Sequence, residues 1–178
     1  MAHAPNYLLI LRSDLGLTAK RKAPYNPAIL HKAVRVARYL IDHGVSAGWV
    51  ERYYTADTIP WCALEVSDCL VQAGIVPPSN PLSALDFAIY GQKLDGPRLG
   101  AIAVKHRTGG GHVMLVEGIN AARTEVLVIA GNCGHAVARE WMPISEIFAW
   151  RAPANIDLDA APVVRMDGTG QVQLLTEN

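Results

Sequence analysis

One cysteine in this sequence lies where a nucleophile is expected. Cys62 comes two residues after Pro60 and opens a segment of helical periodicity that ends near Gly74, so its thiol is expected in the first turn of a helix. Free N–H groups and the positive end of the helix dipole stabilise a thiolate there, and the same N–H groups can hold an oxyanion. The placement predicts that Cys62 attacks a carbonyl carbon, and the alternative is a small thiol buried in the core.

A base that could activate this thiol is His112, which opens an apolar strand directly after three glycines. Asn132 ends the next strand and could orient the imidazole through its second ring nitrogen. If the two strands are antiparallel neighbours, the start of one and the end of the other meet at one edge of the sheet. Cys62, His112 and Asn132 would then converge, although a histidine at a strand end and an asparagine in a turn are also ordinary surface residues.

The elements that must position these residues fall into two halves. Helical spacing predicts helices over residues 27–43 and 62–73 and a short one over 83–90, whereas a short strand is expected over residues 7–11. Segments rich in Val, Ile and aromatic residues predict strands at 99–105, 112–119, 125–130, 136–141 and 148–151. Helices first and strands second indicate an α+β fold, with N-terminal helices packed on an antiparallel sheet of about five strands.

The chain has 178 residues, of which 51% are hydrophobic, and this is enough for one domain with its own core. We expect that domain over residues 1–153, followed by a C-terminal extension over 154–178 with a β-hairpin that turns at Asp167 and Gly168. Sixteen basic and sixteen acidic side chains cancel, which argues against nucleic acid as a partner. The sequence predicts no membrane span, and its three cysteines do not make a disulfide scaffold.

Four short motifs in this order resemble the CHAP and NlpC branch of the papain-like cysteine hydrolases. They are Thr-Ile-Pro-Trp-Cys-Ala at 58–63, Gly-His-Val at 111–113, Gly-Asn at 131–132 and Phe-Ala-Trp-Arg-Ala-Pro at 148–153. The Pro-Trp-Cys-Ala portion is similar to that of a group of small bacterial and phage proteins. The likeness covers residues 27–153 and implies a papain-like fold for that region.

The resemblance implies hydrolysis of an amide bond in the stem peptide of peptidoglycan, by an endopeptidase or an N-acetylmuramoyl-L-alanine amidase. Carried over by position, Cys62 is the nucleophile, His112 the base and Asn132 the orienting residue. The positions expected to support the site or to line the substrate cleft are Asp57, Trp61, Gly111 and Gly131.

Two residues depart from the family's pattern. Glu65 stands where an aromatic or apolar residue is usual, and helix arithmetic places it on the polar side of its helix, so it need not touch the site. Cys133 follows Asn132 where another polar residue is usual, and its thiol could be oxidised or bind a metal.

Three other functions are compatible with the same residues. A papain-like deamidase or transamidase acting on proteins would keep the cysteine and the histidine and change the acceptor. A domain without catalysis would bind the cell wall only. A zinc-supported domain could use Cys62, His112, Cys133 and His135, but neither Cys-x-x-Cys nor His-x-x-x-His spacing is present, so we expect no metal and no cofactor.

The N-terminal residues lack the basic region and the long apolar stretch of a signal peptide, so we expect synthesis in the cytoplasm. Action in the periplasm or cell wall then requires release by lysis or injection. A phage lysis enzyme and an injected antibacterial effector both fit this expectation. The effector interpretation implies an immunity protein as a partner beside the peptidoglycan stem peptide.

Overall fold

Four α-helices occupy the first half of the chain in the computed structural model, which describes residues 3–175. They are α1 (Asn6–Ser13), α2 (Pro27–Asp42), α3 (Gly48–Tyr53) and α4 (Cys62–Gln72). Asn26 begins α2 by accepting a hydrogen bond from the Ala28 N–H at 3.0 Å, and Pro27 fills the first helical position. The helices predicted over 27–43 and 62–73 are confirmed.

The strand predicted over residues 7–11 is wrong, because this segment forms α1. Tyr7, Leu8 and Leu11 are buried, and their spacing places them on one face of a helix rather than on alternate sides of a strand. The Pro5 carbonyl accepts hydrogen bonds from the N–H groups of Leu8 and Leu9, which begins the first turn. A short run of consecutive apolar residues does not distinguish the two patterns by sequence alone.

The second half forms a six-stranded antiparallel sheet in the order β1-β6-β2-β3-β4-β5. Its strands are β1 (Gln92–Lys93), β2 (Ile102–Arg107), β3 (Gly110–Ile119), β4 (Glu125–Cys133), β5 (Ala136–Pro143) and β6 (Ile147–Ala152). The five predicted strands are present, and the additional one is the two-residue edge strand β1. A 3₁₀ turn over Asp86–Ile89 takes the place of the short helix expected at 83–90. The fold is therefore of the α+β class.

Helix α4 is buried from Cys62 to Val71 between the sheet and the other helices, and only its last residue, Gln72, is exposed. It packs on β3 and β4 and against α1 and α2. The side predicted to be polar does not reach solvent, because Glu65 and Asp68 are both fully buried. Lys32 of α2 contacts the two carboxyl groups at 3.1 and 3.2 Å, so one buried cation faces two acidic side chains inside the helical layer.

The sheet face turned away from the helices has an apolar core of its own, built around Met114, Val116 and Val128. The C-terminal extension helps to cover this face and ends in a hairpin of β7 (Val164–Met166) and β8 (Val172–Leu174). Val164 is buried beside Gly118, where an added Cβ would lie 2.3 Å from the Val164 Cγ2 atom. The extension is thus packed on the main sheet.

No membrane-spanning helix is found among residues 3–175. The helix α2 has 16 residues, fewer than the roughly 20 that cross a bilayer.

Candidate active site

Cys62 is the first residue of α4, in the position that the sequence predicts. The Glu65 N–H donates to the Trp61 carbonyl at 2.9 Å, so the N–H groups of residues 62–64 precede the helical hydrogen-bond ladder. Cys62 is 3% exposed and lines a cleft, whose other walls include the loop 82–85 and the glycine turn 109–111. The candidate nucleophile is therefore shielded from bulk solvent but accessible from this cleft.

His112 lies near the start of β3, one residue beyond the cleft wall. A tight hairpin joins β2 to β3, with Arg107 paired to Gly110 and Gly109 at a φ of 81°, a left-handed conformation that glycine adopts without strain. Alternation along β3 places His112 on the same face as Met114, which is the face turned away from the helices. The hairpin therefore brings a buried imidazole to the sheet edge beside the cleft.

No hydrogen bond joins Asn132 to the imidazole within residues 3–175, and a bulge in β4 accounts for this. A regular strand would place Ala130 and Asn132 on the face that carries His112. The pairing with β5 instead shifts by one residue between Ala130 and Cys133, and Asn132 takes a left-handed φ of 61°. Because of the extra residue, Cys133 is the residue of β4 that faces the imidazole, and its Sγ atom lies 3.6 Å from the His112 Nε2 atom.

Glu140 completes the cluster from β5. Its Oε1 atom accepts a hydrogen bond from the Cys133 thiol at 3.3 Å and lies 3.9 Å from the His112 Nε2 atom. Glu140 pairs with Val128 across the β4–β5 ladder, and cross-strand partners project from the same face of a sheet. The side chain of Glu140 is 40% exposed, so the cluster extends from a buried imidazole to a carboxylate at the surface.

The other ring nitrogen of His112, Nδ1, is buried without a hydrogen-bond partner in the part of the chain that the structure describes. No hydrogen bond joins Cys62 to His112 in that part either, although Cys62 shares its cleft with Gly111, the residue before the histidine. Nδ1 is thus the nitrogen available to take a proton, since Nε2 faces Cys133 and Glu140. Catalytic hydrogen bonds are often long in a protein without substrate and shorten when it binds.

His112 and Cys133, whose Nε2 and Sγ atoms lie 3.6 Å apart, are both neutral at neutral pH. Burial, and then the positive charges of Arg107 and Lys105, lower the pKa of His112 to about 4. Burial raises the pKa of the Cys133 thiol to about 12, and the charges of Glu140 and Cys62 add to this effect.

Asp57 does not line the cleft, and its carboxylate instead binds backbone N–H groups of the segment before α2. It is 2% exposed and accepts hydrogen bonds from the backbone N–H groups of Lys20, Arg21 and Asn26 at 2.8, 2.9 and 2.8 Å. Burial raises the pKa of Asp57, but the three donors outweigh burial and hold this pKa below its usual value. Its carboxylate fastens the segment before α2 to the loop before α4.

Gly111 and Gly131 allow two close approaches at the site. An added Cβ at Gly111 would lie 2.8 Å from the Leu85 Cδ2 atom, so glycine keeps this wall of the cleft open. A Cβ at Gly131 would lie 2.7 Å from the Cβ of Glu65 and 2.9 Å from the Cε3 of Trp61. Trp61 is fully buried and packs against Gly131 of β4. Glu65 packs directly against β4 at Gly131, on the side of α4 that was expected to be polar.

Sequence reasoning did not find Glu140 and considered Cys133 only as a metal ligand or an oxidisable thiol. The two residues are seven positions apart with a hairpin turn between them, and the bulge that aligns them depends on strand pairing rather than on local sequence. Of the zinc ligands considered from the sequence, His112 and Cys133 are in contact, whereas His135 is exposed in the turn after β4.

No protein-family model, curated protein or solved structure matches this chain. Its chemistry must be inferred from the residues themselves. A thiol at a helix start, an imidazole with one unpartnered nitrogen and a carboxylate beside the other nitrogen are the parts of a site for thiol-dependent acyl transfer.

Proposed function

We propose that this protein is a papain-like cysteine hydrolase that cleaves an amide bond in the stem peptide of peptidoglycan. One observation carries the proposal: Cys62, at the start of α4, shares a cleft with the glycine turn that leads into His112. The cleft supports attack by a thiol on a bound carbonyl group. The motif resemblance supplies the substrate class and supports the papain-like fold.

In the proposed reaction, substrate binding brings the Cys62 thiol within hydrogen-bond distance of His112, and the thiol gives its proton to Nδ1 while its sulfur forms a bond to the amide carbonyl carbon. The N–H groups at the start of α4 stabilise the negative charge that develops on the carbonyl oxygen. The C–N bond then breaks, and the amine leaves with the proton from His112. A water molecule gives a proton to His112, hydrolyses the thioester and restores the thiol.

Arg107 supports an acidic peptide as the substrate. It is exposed and lines the same cleft as Cys62. Stem peptides carry free carboxylates near their amide bonds, and a guanidinium group binds a carboxylate through two hydrogen bonds. Because the net charge of the chain is zero, attraction to an anionic wall must come from such local positive groups.

The test is release of new amino groups from purified sacculi, with mass spectrometry to identify the bond that is cut. Cys62→Ala and Cys62→Ser should abolish release. Cys69→Ala removes a thiol from the buried interior of the same helix and should retain activity. Undiminished release by Cys62→Ala would overturn the proposal, and ammonia release from protein glutamine with intact sacculi would favour a deamidase.

Thiol labelling separates this enzyme from a domain that binds the wall without catalysis. Iodoacetamide should label Cys62 ahead of Cys69 and Cys133 near neutral pH, and His112→Ala should slow the labelling. A wall-binding domain would bind sacculi and show no preference for Cys62.

A further inference from the structure

A second chemical feature lies on the sheet face turned away from the helices, in the cluster of His112, Cys133 and Glu140. Their Nε2, Sγ and Oε1 atoms are separated by 3.6, 3.3 and 3.9 Å. Imidazole nitrogen, thiolate sulfur and carboxylate oxygen are the three ligand types of protein zinc sites. We propose that this cluster binds a divalent cation of the zinc class, and that the bound ion inhibits the hydrolase.

The spacing of the three atoms matches the edges of a tetrahedral site. With a Zn–S distance near 2.3 Å and Zn–N and Zn–O distances near 2.0–2.1 Å, tetrahedral angles place ligand atoms about 3.3–3.6 Å apart. The separations in the protein run from 3.3 to 3.9 Å. All three atoms could therefore contact one cation after small side-chain shifts, and a fourth position would remain for water.

The charges and the chemical character of the ligands favour a zinc-class ion. A thiolate and a carboxylate supply two negative charges, which balance a divalent cation in a partly buried place, and His112 binds as a neutral ligand. Mg²⁺ and Ca²⁺ prefer all-oxygen sites, whereas a site with sulfur and nitrogen suits zinc. Lys105 is the register partner of His112, but its ammonium group donates to Glu146 at 3.0 Å.

The ligands are held by the sheet rather than by mobile loops. The β4 bulge at Asn132 turns Cys133 to this face, and the pairing of Glu140 with Val128 fixes the third ligand on β5. His112 is buried, whereas the Glu140 side chain is 40% exposed, which provides a path for the ion from solvent. A preformed and accessible set of ligands is what a metal site requires.

Inhibition rests on the proposed hydrolase function, because His112 belongs to both sites. A cation on Nε2 leaves a neutral imidazole with its proton on Nδ1. Nδ1 is the atom that must accept the proton of Cys62, so the metal-bound ring cannot act as the base. Binding of the ion and cleavage of the substrate are therefore mutually exclusive.

Binding is tested with cobalt in the Cys62→Ser protein, purified without a histidine tag. One equivalent of Co²⁺ should produce thiolate-to-cobalt absorption in the near ultraviolet, and Zn²⁺ should remove it. In the same background, Cys133→Ser should abolish this absorption, and Glu140→Gln should weaken Co²⁺ affinity by at least about tenfold. His135→Asn is the matched control: it removes an exposed histidine two residues from Cys133, tolerates the φ of 71° there, and should bind Co²⁺ normally.

Two results would overturn the metal site. One is the absence of thiolate absorption at one equivalent of Co²⁺, and the other is its persistence in Cys133→Ser. If circular dichroism shows that Cys133→Ser does not fold, the half-exposed Glu140 supplies the deciding variant. Unchanged Co²⁺ affinity in Glu140→Gln would then refute the site.

Inhibition is tested separately with the wild-type protein and sacculi. One equivalent of Zn²⁺ should stop the release of amino groups, and a chelator should restore it. Glu140→Gln should need about tenfold more Zn²⁺ for the same inhibition. Full activity with Zn²⁺ bound would overturn the inhibitory role. If Cys62→Ser binds Co²⁺ but the wild-type protein releases no amino groups even after treatment with a chelator, the metal site is upheld and the proposed function is overturned.

Discussion

The His112 Nε2 atom and the Glu140 Oε1 atom lie 3.9 Å apart although their strands, β3 and β5, are not neighbours in the sheet. The strand between them, β4, fills the gap with Cys133, which donates to Glu140 at 3.3 Å and lies 3.6 Å from the imidazole. The carboxylate can act on the ring directly or through the thiol. Glu140 is therefore a positioning residue for the proposed base.

Glu140→Gln keeps the shape of the side chain and removes its charge. In chelator-treated protein, we expect kcat for sacculus hydrolysis to fall roughly tenfold, part of the 10²–10⁴ that a general base contributes, with little change in KM. Glu140→Asp should recover part of the loss, because it restores the carboxylate. Steady-state kinetics on solubilised stem peptides measure both constants.

The matched control for Glu140 is Asn132→Ala, because Asn132 makes no hydrogen bond to the ring in the described part of the chain. Its kcat should stay within about twofold of the wild-type value, as expected for a side chain outside the site. A larger fall in kcat for Asn132→Ala than for Glu140→Gln would show that Asn132, and not Glu140, orients the imidazole.

Arg107→Gln should weaken substrate binding and leave the chemical step intact. Loss of a charge-assisted hydrogen bond costs about 1.5 kcal/mol, so KM for an acidic stem peptide should rise about tenfold at constant kcat. Arg38→Gln removes an exposed arginine from α2, outside the cleft, and serves as the control. Equal KM values for Arg107→Gln and wild type would show that the substrate carboxylate is bound elsewhere.

Asp57→Asn should lower the free energy of unfolding by about 1–3 kcal/mol at neutral pH, since the carboxylate accepts three backbone hydrogen bonds in a buried place. The pKa of Asp57 is lowered by folding, so its contribution is present above the unfolded value of 3.8 and is lost as the pH falls through the folded value. Urea denaturation at pH 7 and at pH 3 measures the difference.

Asp95→Asn is the control for Asp57, because the Asp95 side chain is 90% exposed. Its free energy of unfolding should lie within about 0.5 kcal/mol of the wild-type value. A constant difference between Asp57→Asn and wild type across the acid range would rule out the carboxylate as its source.

The position of Cys62 could be predicted because α4 carries local signals. Pro60 marks its start, Gly74 follows its end, and apolar residues recur at helical spacing between them. The pairing of β6 with β2 joins distant segments, but β2 to β5 follow one another through hairpins, so the approach of β3 and β4 was also predictable. These features depend on residues close together in the chain.

The residue that contacts the His112 ring from β4 could not be predicted. Regular alternation along β4 would place Asn132 there, but one extra residue in the strand puts Cys133 there instead. Whether a Gly-Asn-Cys segment bulges is decided by its pairing with β5 and by the left-handed turn at Gly134 and His135. The burial of Glu65 was missed for a similar reason. Its partner Lys32 lies on another helix, and helical periodicity does not reveal which faces meet.

The buried ion cluster around Glu65 contains more acids than bases. Lys32 contacts Asp14, Glu65 and Asp68, and Arg35 adds a second cation on Asp68 at 2.6 Å. Two cations balance two carboxylates, and a third negative charge would be buried without compensation. Burial accordingly raises the pKa of Glu65 from 4.5 to about 8, against the opposing effect of Lys32.

This imbalance predicts that the contribution of Glu65 to stability falls as the pH rises from 4.5 to about 8, because the folded state keeps the Glu65 proton over that interval. The lowered pKa of His112 acts in the opposite direction between about 4 and 6.5, so the fall in wild-type stability should appear between pH 6.5 and 8. Glu65→Gln removes the titrating group, so its free energy of unfolding should vary less between pH 6.5 and 8 and should exceed the wild-type value at pH 8. Glu117→Gln is the matched control, because Glu117 is the other buried glutamate and is paired with Arg12 and Arg139. Loss of that pairing should destabilise the protein at pH 7. Urea denaturation from pH 5 to pH 8 tests both variants, and a wild-type curve parallel to that of Glu65→Gln would show that Glu65 is ionised throughout.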